Sequence, residues 1–235
     1  VSDNIAHDLR TPLTRMRTRV EAALRAKPST KNYRLALENT IEDSDHLIKI
    51  FDALLSIARA EAGSQASEMS EVDGAQIVKD IVELYEPVAE DLGCRIKVAS
   101  PEHLRFRGNR DLIGQALANL LDNALKYGRS EGGKPGHGGA EIAVDLESRN
   151  GAVALIVSDC GPGIPENDRK RVLARFVRLE TSRSQAGSGL GLSLAAAVVR
   201  LHGGQMYLED NPECEHSALG PGLSVTMVFP RRHTG

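Results

Sequence analysis

The chain has 235 residues, 41% hydrophobic and 26% charged, which is the balance of a soluble globular protein with room for one large or two modest domains. A net charge of −3 and 3% aromatic residues argue against nucleic acid as a partner. Three cysteines without a CxxC pair predict neither a zinc site nor a disulfide framework, and they suit a reducing compartment. No apolar run reaches about 18 residues and nothing resembles a signal peptide, so we expect any membrane link only through an upstream segment.

The first segment predicts two amphipathic helices joined by a break at Lys27–Thr30, where Pro28 stops one helix and Ser29 can cap the next. Apolar residues recur every three or four positions along the first helix, at Ile5, Leu9, Leu13, Met16, Val20 and Leu24. A second stripe follows between residues 31 and 62. Burial of both stripes favours a four-helix bundle made by homodimerisation over packing of the hairpin on a second domain.

From Glu71 onward, helical and β patterns alternate. The predicted helices are Gly74–Leu92, Asp111–Tyr127 and Ser188–His202. The predicted strands lie within 94–100, 103–108, 141–148, 152–159, 204–210 and 223–230. This alternation predicts a mixed sheet with one face covered by helices, and the Gly-rich stretch 128–139 predicts an irregular loop.

His7 lies between two stripe residues of the first helix, so we expect its ring on the outside of the bundle. Asp8 can accept a hydrogen bond from Nδ1–H and leave Nε2 as a nucleophile of fixed tautomer. Arg10 places positive charge close by, and Pro12 loosens the following turn. The group therefore suits a nucleophilic histidine beside a transferring anionic group.

Further along the chain, Asn119 and Asn123 lie four residues apart on one face of a predicted helix. Their amide oxygens suit Mg²⁺, and Lys126 can hold a phosphate group. Asp159 follows an apolar strand, and the glycines after it allow a ligand to approach the backbone closely.

Gly187, Gly189 and Gly191 open an apolar helix, which favours a phosphate cradle at its start. This glycine run does not follow a strand in a βαβ unit, which excludes a dinucleotide-binding fingerprint.

Five motifs in fixed order carry a family resemblance: IAHDLRTPLTR, NLLDNALKYG, DCGPGIP, RFVRLETSRS and GSGLGL. They resemble the H, N, G1, F and G2 boxes of a bacterial sensor histidine kinase. The resemblance implies a dimerisation and phosphoacceptor hairpin over residues 1–66, forming a dimeric antiparallel four-helix bundle. It implies a Bergerat-type α/β sandwich that binds ATP over residues 67–235, shared with gyrase- and MutL-like ATPases. Those ATPases carry a glutamate base where this chain has Asn119, which favours phosphoryl transfer over hydrolysis.

The resemblance also implies residue roles. His7 is the phosphorylated residue, Asn123 the main Mg²⁺ ligand with Asn119 beside it, and Asp159 the acceptor for the adenine amino group. Tyr127 would cover the adenine, and Arg183 in the lid would reach the γ-phosphate. The other expected nucleotide contacts are Lys126, Gly161, Gly163, Arg178, Gly187, Gly189, Leu190, Gly191 and Leu192.

Partners follow from the same resemblance. A response-regulator receiver domain would take the phosphoryl group. Thr11 with Asp8 would support dephosphorylation of that regulator. An equally good interpretation is that Thr11 is an ordinary residue on the helix surface. We expect a cytoplasmic fragment of an inner-membrane sensor, with a weaker dimer than a longer form. Two alternative functions stay open: an ATP-binding scaffold without kinase turnover, and a regulator that acts mainly as a phosphatase. It also stays open whether Cys160 is reactive or inert, and whether transfer occurs within or between subunits.

Overall fold

The computed structural model describes residues 69–128, 141–174, 177, 191–214 and 220–231, together with scattered positions between 13 and 44. The described positions between 13 and 44 are all helical, in agreement with the predicted hairpin. His7, Asp8, Arg10 and Thr11 lie outside the described residues.

From residue 69 onward, the described ranges contain seven strands, four α-helices and two short 3-10 helices, Arg171–Leu173 and Pro212–Cys214. The strands are β1 (Ser70–Asp73), β2 (Arg95–Ala99), β3 (Arg105–Gly108), β4 (Glu141–Arg149), β5 (Ala152–Asp159), β6 (Gln205–Glu209) and β7 (Leu223–Pro230). The helices are α1 (Gly74–Asp91), α2 (Arg110–Tyr127), α3 (Glu166–Arg169) and α4 (Gly191–Leu201). The three predicted helices and six predicted strands are confirmed where they are described, whereas β1 and α3 were not predicted.

The N-cap residue of helix α1, Asp73, also forms a hydrogen bond with the loop at Leu104. The Asp73 carboxylate accepts the backbone N–H of Ala75 at 3.1 Å and that of Leu104 at 3.0 Å. The first bond satisfies an N–H that has no partner within the helix. The bond from Leu104 is the largest cause that lowers the pKa of the Asp73 carboxyl.

The main sheet has five strands in the order β2-β4-β5-β7-β6. Strand β2 is parallel to β4 and the other pairs are antiparallel, which confirms the predicted mixed sheet. In the central pair, Asp159 at the end of β5 lies opposite Leu223 at the start of β7. The segment after Asp159 therefore runs beside the segment before Leu223.

Helices α1, α2 and α4 pack on one face of this sheet, where alternate strand residues such as Val144, Val157 and Val225 are buried. Phe106 of the small β1–β3 sheet stacks on Phe229 of β7 with ring centroids 5.4 Å apart, which joins the two sheets through one core. Among the described residues, no helix is both long and apolar enough to cross a membrane.

Candidate nucleotide-binding site

Helix α2 carries the two predicted amide residues, Asn119 and Asn123, one turn apart and half-buried. The Nδ2 group of Asn119 donates to the carbonyl of Gln115 at 2.8 Å, so its Oδ1 is the atom available to a ligand. A Cβ placed on Gly191 would lie 3.1 Å from Nδ2 of Asn123 and 3.6 Å from Oδ1 of Asn119. The structure therefore brings the start of α4 against both amides.

The orientation of α2 is set on its other side by helix α1. The Tyr85 hydroxyl of α1 donates to Oδ1 of Asp122 at 3.0 Å. Burial, followed by the charge of Asp122, raises the pKa of Tyr85, which keeps the hydroxyl protonated as the donor. Asn109 caps α2 by accepting the N–H of Leu112 at 3.1 Å.

At the C-terminal end of α2, Lys126 and Tyr127 form one polar unit. The Lys126 Nζ donates to the Tyr127 hydroxyl at 2.9 Å and lies 4.6 Å from the centre of that ring. A Cβ on Gly161 would collide with the Tyr127 carbonyl oxygen. The loop after β5 thus touches the end of α2, and only glycine fits at that contact.

Asp159, the predicted acceptor for the adenine amino group, is the last residue of strand β5 and is 8% exposed. Its Oδ1 accepts the backbone N–H of Gly161 at 2.8 Å. Burial raises the pKa of this carboxyl to about 6, against a smaller lowering by the Gly161 bond. A buried carboxylate with few protein donors is suited to accept a hydrogen bond from a ligand amine.

A layer behind Asp159 was not predicted. The buried Asn211 donates from Nδ2 to the Asp159 carbonyl at 3.1 Å, and its Oδ1 accepts the N–H of Glu213 at 3.1 Å. Gly222, at φ +68°, packs so closely on that carbonyl that a Cβ would collide with it. The only sequence signal for this layer was the Gly-Pro-Gly turn at 220–222.

Cys160 and Cys214 are joined by a disulfide, with their Cα atoms 5.5 Å apart. The prediction that the cysteines form no disulfide is wrong for this pair. The two residues are 54 positions apart in the chain, but the antiparallel pairing of β5 with β7 places the segments beside these strand ends next to each other. Cys94 is buried and is not part of a disulfide.

The predicted residues thus divide into two groups. Asn119, Asn123 and Gly191 meet at one end, and Tyr127, Asp159 and Gly161 at the other. Along helix α2, Tyr127 follows Asn123 by four positions and Asn119 by eight, or about 6 and 12 Å along the axis. Gly163, at φ +71°, continues the loop beside Gly222, and Leu192 follows Gly191 in α4. The predicted lid residues Arg178 and Arg183 lie outside the described residues, as do Gly187, Gly189 and Leu190 of the predicted phosphate cradle.

A mixed sheet with helices on one face, and a cleft formed by a helix with amide side chains, a buried carboxylate and a glycine helix start, defines the class of α/β-sandwich ATPases. The profile of the histidine kinase-, DNA gyrase B- and HSP90-like ATPases matches residues 108–233. The profile of the His Kinase A (phospho-acceptor) domain matches residues 1–63. The chain belongs to this ATPase family, and its two matched domains are those of a sensor histidine kinase core.

Several similar proteins are described as histidine kinases. The signal transduction histidine-protein kinase/phosphatase MprB of Mycolicibacterium vanbaalenii is 32% identical over 233 residues, which cover 96% of this chain and 45% of that protein. The solved structure of a mycobacterial sensor histidine kinase MprB is 30% identical with a TM-score of 0.56, and it covers 70% of this chain and 98% of that one.

A further solved structure, histidine kinase ThkA in complex with response regulator protein TrrA, has a TM-score of 0.69 at 18% identity, covering 98% of this chain and 61% of that one. At that identity the likeness concerns the fold alone. The chain spans about half the length of the curated relatives that it matches.

Proposed function

We propose that this chain binds Mg²⁺ and ATP in the cleft beside α2, transfers the γ-phosphoryl group to Nε2 of His7, and passes it on to an aspartate of a response-regulator receiver domain. The observation that carries the proposal is the meeting of Asn119, Asn123 and Gly191 within one chain that also matches a phosphoacceptor domain. A boundary near residue 66 divides the phosphoacceptor hairpin from the ATP-binding domain.

The adenine lies at the Asp159 end of the cleft. Its exocyclic amino group donates to Oδ2 of the Asp159 carboxylate, while the glycines at 161 and 163 let the ring approach the backbone. Tyr127 covers the ring, and its hydroxyl is already bonded to Lys126. Because the amino group donates to a charged carboxylate, adenine binding requires the ionised form of Asp159.

The phosphates lie at the other end. The residues fit a magnesium ion, because Oδ1 of Asn123 and Oδ1 of Asn119 lie 3.5 and 3.6 Å from the position of a Cβ on Gly191, and amide oxygens are hard ligands. When bound, Mg²⁺ supplies charge neutralisation for the phosphate oxygens. The N–H groups at the start of α4, with Leu192 among them, point toward the same region and stabilise negative charge.

Lys126 adds a positive charge to the phosphates once its contact with Tyr127 is given up. The lid arginines Arg178 and Arg183 enclose the phosphates from one side. The cradle positions Gly187, Gly189 and Leu190, before helix α4, enclose them from the other. Arg183 stabilises the charge that develops on the γ-phosphoryl group during transfer.

At the acceptor, Nε2 of His7 attacks the γ-phosphorus, the bond to the β–γ bridging oxygen breaks, and ADP leaves. Asp8 holds Nδ1–H and stabilises the positive charge of the phosphorylated imidazole, and Arg10 contacts the transferred group. The second transfer moves the phosphoryl group from Nε2 to a receiver carboxylate. The TrrA complex of ThkA, a protein of the same fold, supports a receiver domain as partner.

The hairpin provides the dimer interface. Leu24 is 71% exposed and Leu37 is 64% exposed in a single chain, and Ile41 is comparably open. Apolar side chains at helical spacing with this exposure need a partner surface, which a second copy supplies as a four-helix bundle. We place the chain on the cytoplasmic side of the membrane, where ATP and receiver domains are found, with its anchor in a segment upstream.

A phosphatase activity toward the phosphorylated regulator is a second proposed function, favoured by Thr11 one turn after His7 and by the kinase/phosphatase name of the relative MprB. Thr11 would orient the attacking water. Thr11→Ala should then abolish dephosphorylation of the regulator and preserve autophosphorylation. Equal dephosphorylation by both proteins contradicts this role.

The deciding experiment for the kinase is incubation with γ-labelled ATP and Mg²⁺. We expect an acid-labile, base-stable label on the chain that is lost in His7→Gln and retained in His46→Gln, a matched change elsewhere in the hairpin. Measured ATP binding without label would favour the scaffold or phosphatase reading. Loss of label in both variants would mean that the hairpin, and not His7 itself, had been disturbed.

A further inference from the structure

The Cys160–Cys214 disulfide lies directly behind the carboxylate that we assign to adenine. Cys160 follows Asp159 in the chain, and Sγ of Cys214 lies 3.7 Å from the Asp159 carbonyl oxygen. The same carbonyl accepts Nδ2 of Asn211 at 3.1 Å. A change in the bonding of these two sulphurs therefore acts on the backbone of Asp159 without an intermediate residue.

The two cysteines differ in access, as the partners in a reversible disulfide should. Cys160 is half-buried, whereas Cys214 is 2% exposed. A small oxidant reaches Cys160 first, and Cys214 then resolves the oxidised intermediate. Nδ2 of Asn211 lies 3.1 Å from Sγ of Cys214 and can stabilise negative charge on that sulphur during thiol–disulfide exchange.

The loop keeps other connections when the disulfide is absent. Gly222 N–H donates to the Gly161 carbonyl at 3.0 Å, and Asn211 continues to hold the Asp159 carbonyl. A reduced Cys214 thiol also gains a proton that it can donate to that carbonyl. Reduction thus loosens the loop that carries Asp159–Gly163 without removing its support.

We propose that Cys160 and Cys214 form a reversible redox-modification site, and that the disulfide state binds nucleotide more tightly than the dithiol state. The proposal rests on the nucleotide binding proposed above. The cross-link orders both loops behind Asp159 before the ligand arrives, so less conformational entropy is lost on binding. Oxidation by a hydroperoxide would thereby raise the occupancy of the ATP site.

The chemistry balances with hydrogen peroxide as oxidant. The Cys160 thiolate attacks one peroxide oxygen, which gives a sulfenic acid and, after protonation, one water. The Cys214 thiol attacks that sulphur, the S–S bond forms, and a second water leaves. In sum, two thiols lose two electrons and two protons to one peroxide. A small dithiol reverses the step by exchange and becomes a cyclic disulfide.

The test compares the full chain after treatment with hydrogen peroxide and after treatment with a dithiol, with ADP and Mg²⁺ as the probe in calorimetry. Mass spectrometry of the Cys160 and Cys214 peptides reports the bond. We expect the Kd for ADP to be lower in the oxidised chain by about fivefold or more. Cys160→Ser should bind as the reduced chain does under both treatments, and Cys94→Ser should respond as the unaltered chain does.

Linkage supplies a second readout. If the disulfide tightens ADP binding by some factor, saturating ADP must favour the disulfide by the same factor in a glutathione buffer of varied ratio. Equal Kd values, tighter binding by the reduced chain, or no disulfide after oxidation would overturn the proposal and leave ATP binding intact. Absence of ADP binding in both states would instead contradict the proposed function itself and, with it, this inference.

Discussion

Asp159, which we propose binds the adenine amino group, carries a cost to the stability of the fold. Its carboxyl has few protein donors, and burial raises its pKa from 3.8 to about 6. Because the folded chain holds this proton to higher pH than the unfolded chain does, the stability contributed by the group is full below 3.8 and is lost as the pH rises through about 6. Near neutral pH, the empty site therefore carries an unfavourable buried charge.

Asp159→Asn should relieve that charge. We expect the free energy of unfolding of the variant to exceed that of the unaltered chain by up to about 3 kcal/mol at pH 8. The difference should vanish toward pH 4. Urea unfolding across this range measures it, with the exposed Glu102→Gln as control for a lost charge. A difference that does not change with pH would mean that burial does not hold the proton. Binding of ADP should weaken in the same variant.

Gly222 and Gly151 provide a matched pair at the residue scale. Both have positive φ, +68° and +78°, but a Cβ on Gly222 would collide with the Asp159 carbonyl, whereas Gly151 has open space. Gly151→Ala should cost about 1–2 kcal/mol for its backbone conformation alone. Gly222→Ala adds overpacking of about 1–3 kcal/mol. Similar urea midpoints for the two variants would exclude a tight contact at Asp159.

How far single residues can be predicted depends on where their partners lie in the chain. Asn119 and Asn123 were predictable because helical spacing puts both amides on one face. Asn211 was not, because its partner Asp159 is 52 positions away and no local pattern connects them. The disulfide was missed for the same reason, since strand pairing alone brings Cys160 and Cys214 together.

At the element scale, most of the fold was predictable because apolar residues recur with a strong period along its helices and strands. Strand β1 was not predicted because its sequence has no such period. The long strands β5 and β7 have apolar runs with turn signals beside them, and both were predicted. Strand β1, with the sequence Ser-Glu-Val-Asp, has one apolar residue, Val72, and exists because its backbone pairs with β3. A four-residue strand of this composition is determined by tertiary pairing and not by its own propensity.

The cap that connects β1 to α1 gives the element-scale prediction. Asp73→Ala should lower the free energy of unfolding by about 1–2 kcal/mol, because the N–H groups of Ala75 and Leu104 both lose their acceptor. Asp73→Asn keeps an acceptor oxygen and should lose less. Since the pKa of Asp73 is lowered on folding, its charge contributes stability above the unfolded value of 3.8 that is lost as the pH falls below it.

Urea unfolding of both variants at neutral and acidic pH checks this. The Asn variant should approach the unaltered chain in acid, where the charge of Asp73 disappears. If the Ala and Asn variants are equally destabilised, the acceptor oxygen has no part in the cap.

At the scale of the whole molecule, the chemistry is divided between two matched regions. In the proposed function, residues 1–63, which match the phosphoacceptor domain, supply the acceptor, and residues 108–233, which match the ATPase family, supply the nucleotide site. Cleft variants such as Asp159→Asn should therefore reduce labelling of His7 through nucleotide affinity, whereas His7→Gln should leave ADP affinity unchanged. This division also predicts that the dimer interface, which we propose lies in the hairpin, can be altered without changing nucleotide binding.

Leu24 and Leu84 test where that interface lies, because they are similarly exposed, at 71% and 68%, but lie in the hairpin and on α1. A symmetric dimer contains every substitution twice, and burial of each leucine contributes about 1.5–3 kcal/mol. We expect Leu24→Glu to raise the dimer dissociation constant, measured by sedimentation equilibrium, by more than about 100-fold. Leu84→Glu should leave it unchanged, and both variants should retain ADP binding. Dissociation caused by Leu84→Glu alone would instead assign the dimer contact to α1 and exclude the hairpin bundle.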